Sequence, residues 1–381
     1  MIFTAAAITL TILTGLSHAQ MWGGKPTVAE EPTANEIPLH GDIEMFPTGL
    51  PITVGDVPDG LANITAQGCN ACHYQAHDDW KNSAHASAGQ SETFNTALKR
   101  AAYSTACVQC HRPLAVQHFS LATGYIEGDL SRPRLQDNPA FDATLMAEGV
   151  GCAACHVRDG NIVSTRTIEG APHPVVRSSE LGTSAFCATC HQLSFPESDR
   201  ASYDTHGEWL STPYAAAGVR CQDCHMPPKP GVATATRFAA TPDHGVKADL
   251  ARALTALVDI PNVSVERGSP FDIQVTLQNT GAGHHVPTGN PYKKLIITVE
   301  LLDSSGQALA QSHAESLGRT VEDVAPYNTT EDTRIPAGGE HAFQASFIVP
   351  HKKPVGPITL VVHASTGREP ATLISVPLEL R

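Results

Sequence analysis

Residues 69–73 read Cys-Asn-Ala-Cys-His, and the same Cys-x-x-Cys-His pattern returns four more times in the 381-residue chain. The pattern accounts for all ten cysteines, which are Cys69, Cys72, Cys107, Cys110, Cys152, Cys155, Cys187, Cys190, Cys221 and Cys224. A histidine follows every pair at once, namely His73, His111, His156, His191 and His225. Only 19 residues of the chain are histidine, so chance does not explain five such placements. This spacing is the attachment signature of c-type haem.

The chemistry of haem attachment explains the spacing. Two thiols three residues apart lie on one face of a helical turn, where each can add to one vinyl group of the same porphyrin. The adjacent histidine then reaches the iron as its proximal ligand. Structural disulfides or zinc sites are alternative uses of paired cysteines, but neither accounts for the five histidines. We therefore predict five covalently bound haem c groups.

The first residues read as an export signal. Residues 1–19 contain an uncharged apolar run that is too short to span a membrane and that ends in Ser17-His18-Ala19. We predict a signal peptide over residues 1–19, a periplasmic or extracellular location, and no transmembrane segment in the mature chain. Because this region lacks Lys and Arg, an uncleaved N-terminal anchor is the alternative.

The chain is acidic, with a formal net charge of -13 at pH 7. This balance argues against nucleic acid as a partner. It suits a basic redox partner protein, and solubility alone is the competing explanation for the charge.

The composition divides the chain into three parts after the signal. Residues 20–60 are rich in Pro, Gly and acidic residues and predict an extended N-terminal arm. Residues 61–250 hold all the haem motifs, with only 34 to 45 residues between successive first cysteines. So little chain cannot build a separate core around each haem, which predicts a loop-rich, mainly short-helical domain in which the haems replace much of the core.

Residues 251–381 change to alternating apolar and polar runs. We predict strands over 271–277, 295–301, 343–349, 358–362 and 373–380. Turn signals at 303–306 and 336–339 separate some of these runs. Short strands at this spacing predict an immunoglobulin-like β-sandwich, so the fold class is multidomain, with a multihaem cytochrome domain followed by an all-β domain.

The haem region contains an internal sequence repeat. The segment from the first motif to the second contains Trp80-x-x-Ser83-x-His85, and the segment from the fourth motif to the fifth contains Trp209-x-x-Thr212-x-Tyr214. Two similar two-haem units therefore flank the central motif. Tyr214 stands where the first unit has His85, and we interpret it as a packing residue.

Several stretches resemble a family of bacterial multihaem cytochromes c that is similar to the tetrahaem electron carrier working with hydroxylamine oxidoreductase. They are residues 80–86, 148–156, 171–174 and 221–227. Residues 279–289 resemble the opening of a β-domain often fused to such cytochromes. The resemblance implies electron transfer through bis-histidine haems. It identifies neither donor nor acceptor.

A bis-histidine set needs five distal imidazoles. The family patterns favour His85, His173 and His244, and we add His118, which more plausibly serves a neighbouring haem than its own. Methionine is disfavoured because Met226 adjoins a proximal ligand and cannot reach the opposite face of that haem.

We predict that the fifth distal ligand is His284 in the β-domain. The preceding Gly281-Ala282-Gly283 would let the backbone approach a porphyrin closely. In extended backbone His285 would point to the opposite face. A loop histidine that merely caps the sandwich is the alternative, and His206 or His77 could then replace His284 or His118.

These features favour an electron carrier over a catalyst. Filling both axial positions of every iron blocks substrate coordination and leaves electron relay. The expected partners are redox proteins or an extracellular electron acceptor. One alternative is a multihaem oxidoreductase with one open haem, such as a peroxidase or a reductase of nitrogen or sulfur oxyanions. Another is a homo-oligomer or the subunit of an extracellular cytochrome filament.

Overall fold

The computed structural model describes residues 43–47, 50–100, 105–127, 129–166, 170–194, 201–234, 237–322, 328–353 and 356–381. The predicted signal over residues 1–19 and the first part of the predicted arm lie outside these ranges. The chain forms two compact units. The haem-motif unit comprises the described residues up to 190 together with 220–248, and the strand unit comprises 191–219 and 249–381.

The helices are short, as the motif spacing predicts. They are α1 (Ala66–Asn70), α2 (Tyr74–Lys81), α3 (Glu92–Arg100), α4 (Thr105–His111), α5 (Ala143–Ala147), α6 (Cys152–His156), α7 (Ser184–His191), α8 (Thr205–Leu210), α9 (Pro213–Ala216), α10 (Cys221–His225) and α11 (Leu250–Ala253). Local caps fix several of their starts. The Thr65 hydroxyl accepts a hydrogen bond from the Gly68 N–H at 3.1 Å, which satisfies one of the unpaired N–H groups at the start of α1. None of the helices in the described ranges has the length and apolar character needed to cross a membrane.

Small sheets join these helices. Their strands are β1 (Ser120–Ile126), β2 (Asp129–Asp137), β3 (Val157–Arg158), β4 (Asn161–Ser164), β5 (Val175–Arg177), β6 (Gln192–Ser194), β7 (Ala201–Asp204), β8 (Pro228–Lys229), β9 (Val232–Thr234), β10 (Arg237–Phe238) and β11 (Thr241–Pro242). The antiparallel hairpin β1–β2 is the longest of these pairings, and the sequence analysis did not anticipate it. Strand β4 pairs in parallel with β5, and His173 lies in the segment that precedes β5.

The described part of the predicted arm packs into the haem-motif unit. Met45 is fully buried, and Ile52 and Val54 join a small apolar cluster with Leu114. The backbone of Ile52 donates to the Pro113 carbonyl at 2.6 Å, just after the second haem motif. These residues therefore form one side of the small apolar core of the haem-motif unit.

The strand unit has a large apolar core between two sheets. Its strands are β12 (Leu254–Asp259), β13 (Ser264–Val265), β14 (Pro270–Asn279), β15 (Lys294–Asp303), β16 (His313–Val321), β17 (Thr329–Asp332), β18 (Glu340–Ile348), β19 (Gly356–Ser365) and β20 (Ala371–Leu380). One sheet has the order β12-β14-β18 and the other β13-β20-β19-β15-β16-β17. Burial alternates along β14 and β18, and their inward side chains join those of β15 and β19 in one core.

Four of the predicted strand runs are confirmed as parts of β14, β15, β19 and β20, and the run 343–349 is confirmed as β18 except for its last residue. The predicted turns also form, since the Gly306 N–H donates to the Asp303 carbonyl and the Gly339 N–H to the Pro336 carbonyl. Strands β12, β13, β16 and β17 were not predicted. Residues 191–219 group with the C-terminal strands, whereas the prediction placed them in the haem-motif domain.

Candidate haem-binding site

Short helices carry the haem motifs. In α4, α6, α7 and α10 a single helix holds both cysteines and the histidine. The first motif spans the end of α1, where the His73 N–H still donates to the Cys69 carbonyl at 2.9 Å. Both cysteine side chains of a motif are therefore held within one helical turn, as attachment to a single porphyrin requires. None of the ten cysteines, all of which lie in the described ranges, forms a disulfide.

Four proximal histidines have the same backbone anchor. The Nδ1 atom lies within hydrogen-bond distance of a carbonyl oxygen in His73 (Ala233, 2.9 Å), His111 (Ala88, 2.8 Å), His156 (Val163, 2.8 Å) and His225 (Lys247, 3.0 Å). A carbonyl accepts only, so Nδ1 carries the proton and Nε2 keeps its lone pair. Metal-bound histidines use this arrangement to fix the ring and present Nε2 to the metal.

Two proximal rings have a second imidazole opposite them. The ring centroids of His73 and His173 are 6.4 Å apart, and those of His156 and His244 are 6.3 Å apart. Metal–imidazole bonds of about 2 Å on each side of an iron, plus the ring dimensions, separate the two centroids by roughly 6 Å. The donor sets of the first and third motifs therefore fit a bis-histidine haem.

Burial favours the neutral form of three imidazoles by lowering the pKa values of His156, His244 and His85. It lowers the pKa of His156 to about 4, with smaller contributions from the nearby His244 and His73. Burial is also the main cause that lowers the pKa of His85, and proximity to His225 contributes. Neutral imidazole is the form that binds iron, and the influence of His225 places His85 near the fifth motif.

Sulfur contacts show which motifs are neighbours. Interaction with the nearby Cys152 thiol lowers the pKa of Cys69, and interaction with the nearby Cys190 thiol lowers the pKa of Cys110. The pKa of Cys187 is raised by its interaction with the nearby Cys221 thiol. The first motif thus adjoins the third, the second adjoins the fourth, and the fourth adjoins the fifth.

The remaining candidate histidines of the haem region have other contacts. The Nε2 atom of His118 lies 2.7 Å from the Arg112 carbonyl, which leaves only its Nδ1 for iron. The ring of His77 lies 5.7 Å from that of Trp80, and its Nδ1 lies 3.9 Å from Asp78.

The loop with His284 is anchored inside the strand unit. The Nδ1 atom of His284 lies 2.9 Å from the His285 carbonyl, which leaves Nε2 for a metal. The Asn279 amide donates to the His284 carbonyl at 2.8 Å. Gly283 packs so tightly on Tyr214 that a Cβ would lie 3.2 Å from the ring, which explains the glycine before His284. Tyr214 also donates its hydroxyl to the Thr280 carbonyl at 3.2 Å, in agreement with its interpretation as a packing residue.

A buried ion pair supports the same loop. Glu208 and Arg334 form a salt bridge of 2.5 Å, with side chains 3% and 8% exposed. The second carboxylate oxygen of Glu208 accepts from the His285 N–H at 3.1 Å and from the Thr288 hydroxyl at 2.6 Å. Glu208 therefore holds the loop through backbone and side chain. His206, two residues earlier on α8, lies with its ring 5.3 Å from that of Trp209.

Two charged residues beside the third motif were missed by the sequence analysis. Arg158 is 1% exposed and donates to the carbonyls of Ala153, Ala154 and Val157 at the end of α6, and to Met45. It satisfies carbonyls that a helix end leaves unpaired. Glu148 precedes the motif and contacts α1. Their only sequence signal is proximity to the motif.

Comparison with known proteins agrees with this arrangement. A family model described as cytochrome c554 and c-prime matches residues 68–127, which contain the first two motifs. The chain also shares the fold of a penta-heme cytochrome c552 from Thermochromatium tepidum, with a TM-score of 0.54 and 17% identity over 84% of this chain and 100% of that one. The chain is thus similar to multihaem c-type cytochromes in its first two motifs and in its fold.

Other solved structures match the chain over about a third of its length. They include an alkylpurine DNA glycosylase from Pseudomonas fluorescens, with 14% identity, coverage of 34% and 30% and a TM-score of 0.22. A CARDB domain from Pyrococcus furiosus matches with 13% identity, coverage of 34% and 87% and a TM-score of 0.21. Likenesses this weak carry no functional argument. No curated protein matches the sequence.

Proposed function

We propose that this cytochrome is an exported electron carrier with five haem c groups and histidine at both axial positions of the irons. The spacing of the two histidine pairs carries the proposal. Rings 6.4 and 6.3 Å apart leave room for one iron between them and none for a substrate. When bound, haem supplies reversible one-electron chemistry, and the protein supplies its anchors and ligands.

The sulfur contacts suggest the order of electron relay. The contact between Cys69 and Cys152 makes neighbours of the first and third motifs. Proximity to Cys155 also raises the pKa of Cys187 and Cys190, which makes neighbours of the third and fourth motifs. We propose a relay from the first haem through the third to the fourth, with the second and fifth haems as branches. Redox proteins outside the cytoplasm are the proposed partners, and residues 251–381 are proposed to form an immunoglobulin-like sandwich.

Mass spectrometry and electron paramagnetic resonance test the core of this proposal. The intact mass should exceed that of the polypeptide by five haem groups, with no titratable thiol. The resting spectrum should show low-spin haem only, because two imidazoles give a strong ligand field. Free thiols or a high-spin signal of one haem would contradict the respective parts of the proposal.

A multihaem oxidoreductase with one open haem is the second candidate, and the second motif favours it. The ring of Phe94 stacks on that of His111 at 4.1 Å, so an apolar side chain lies beside this proximal imidazole. Stoichiometric binding of carbon monoxide to one haem of the reduced, folded protein would support this candidate. Absence of binding would favour the carrier.

A further inference from the structure

Glu148 lies between two haem motifs. It is the C-cap residue that follows α5, four residues before Cys152 of the third motif. Its Oε1 atom accepts a hydrogen bond of 2.8 Å from the backbone N–H of Ala66, the first residue of the α1 helix that carries Cys69. One carboxylate therefore ties the helix of the first motif to the segment that leads into the third.

The surroundings enclose this carboxyl group. A Cβ on Gly151 would lie 2.9 Å from Glu148 Oε2, so backbone closes that side. The side-chain amide of Gln117, which is 2% exposed, donates to the Gly149 carbonyl at 2.7 Å and fixes the adjoining backbone. The negative charge of Glu148 opposes ionisation of the Cys69 and Cys152 thiols, which also influence the pKa of each other. The carboxyl group thus faces the place where two haem attachments meet.

No cation compensates Glu148 among the groups that act on it. Burial is the main influence, and it raises the pKa of Glu148 to about 7; the Ala66 N–H lowers this pKa, and the negative charge of Asp142 adds to the rise. Helix α1 contains no charged side chain, and α6 contributes only His156. The Arg112 guanidinium donates a hydrogen bond to the Gly89 carbonyl at 2.6 Å.

We propose that Glu148 is a redox-linked proton site of the first and third haems. When a one-electron donor reduces either iron from Fe(III) to Fe(II), the Glu148 carboxylate takes up one proton from solvent, and oxidation releases that proton. The proposal rests on the electron-carrier function. The physical cause is that the added electron removes one positive charge near a partly buried carboxylate, which favours the neutral acid.

The sign of the effect is fixed by linkage. Reduction favours the protonated carboxyl group, so the reduction potential falls as pH rises through the interval between the oxidised-state and reduced-state pKa values. The slope approaches at most about 59 mV per pH unit, since tenfold in proton concentration corresponds to that value for one electron. At lower pH Glu148 is protonated in both states, and the potential is constant.

Potentiometric titration of the haem-loaded protein at several pH values on both sides of neutrality tests the proposal. We expect a falling potential for two haems of the wild type. Glu148→Gln has nearly the same shape, keeps an acceptor for the Ala66 N–H and cannot ionise, so both potentials should stay at the low-pH level of the wild type. Glu92→Gln is the matched control, because Glu92 is exposed at the start of α3, and it should keep the wild-type slope.

Infrared difference spectroscopy provides an independent readout. The reduced-minus-oxidised spectrum of the wild type should contain a protonated-carboxyl band that Glu148→Gln lacks. Wild-type potentials independent of pH, or an unchanged slope in Glu148→Gln, would overturn the proposal while leaving the carrier function intact. Haems that cannot be reversibly reduced at all would instead overturn the carrier function.

Discussion

The imidazole rings of His156 and His244 lie 6.3 Å apart at an interplanar angle of 43°. Each ring directs its Nδ1 to a backbone carbonyl, that of Val163 for His156 and that of Pro242 for His244. Both Nε2 atoms therefore retain the lone pair that binds iron. Two chain segments almost ninety residues apart thus prepare the same kind of ligand, which agrees with a haem held between them.

Replacing His244 with alanine should convert one haem from low-spin to high-spin. The iron would lose its distal imidazole while His156 and the two thioether bonds keep the haem in place. Electron paramagnetic resonance of the purified variant measures the change, and intact mass verifies that all haems remain. His363→Ala is the control, because His363 belongs to β19 and its Nδ1 lies 3.2 Å from the Thr372 hydroxyl. An unchanged low-spin spectrum in His244→Ala would refute the assignment.

The ion pair between Glu208 and Arg334 should contribute strongly to the stability of the strand unit. Arg334→Met would leave the Glu208 carboxylate, which is 3% exposed, without its counterion. Loss of one partner of a buried pair costs about 3–5 kcal/mol. Denaturant unfolding followed by circular dichroism should show that the strand unit unfolds at a lower denaturant concentration than in the wild type. Arg381→Met, which removes a 68% exposed side chain of the same unit, should change the free energy of unfolding by less than about 0.5 kcal/mol. Equal effects of the two substitutions would exclude a special role for the buried pair.

The haem motifs are local signals of five residues, and the haem attachment that they indicate stays a prediction. Sequence reasoning recognised β14 and β15, which show the strict alternation of strands with one buried face. It missed β13, which has only two residues, and β16, in which three consecutive residues are buried. Alternation is the signal for a strand, so a strand without it is not recognised.

Pairings between distant residues could not be read from the sequence. The patterns proposed His173 and His244 as ligands, but not which proximal histidine each faces. The position of Glu148 against Ala66 joins residues 82 positions apart. Such contacts depend on tertiary packing, and no residue type or spacing near either partner indicates them.

The raised pKa of Glu148 predicts a pH-dependent stability. Its folded-state pKa is about 7 and its usual value is 4.5, so folding favours the protonated form. This contribution is complete below about pH 4.5 and is lost as pH rises through about 7. Glu148→Gln should therefore gain stability relative to the wild type between these values. Urea unfolding of the oxidised protein at both ends of the window measures the gain, and the same offset at both ends would contradict it.

The last prediction concerns His284 as the remaining distal ligand. His191, the proximal histidine of the fourth motif, belongs to the strand unit, as does His284. The Nε2 atom of His284 is presented by the same kind of backbone anchor that fixes His244, and Glu208 secures the following residue.

His284→Ala should therefore turn one haem high-spin, as measured by electron paramagnetic resonance, with an unchanged haem count. His285→Ala is the matched control, because its backbone N–H can still donate to Glu208 after the ring is removed. It should keep the wild-type spectrum. If His284→Ala retains five low-spin haems, the ligand comes from another histidine, and parallel His206→Ala and His77→Ala variants would identify it. A high-spin signal in His285→Ala alone would instead assign the neighbouring ring as the ligand.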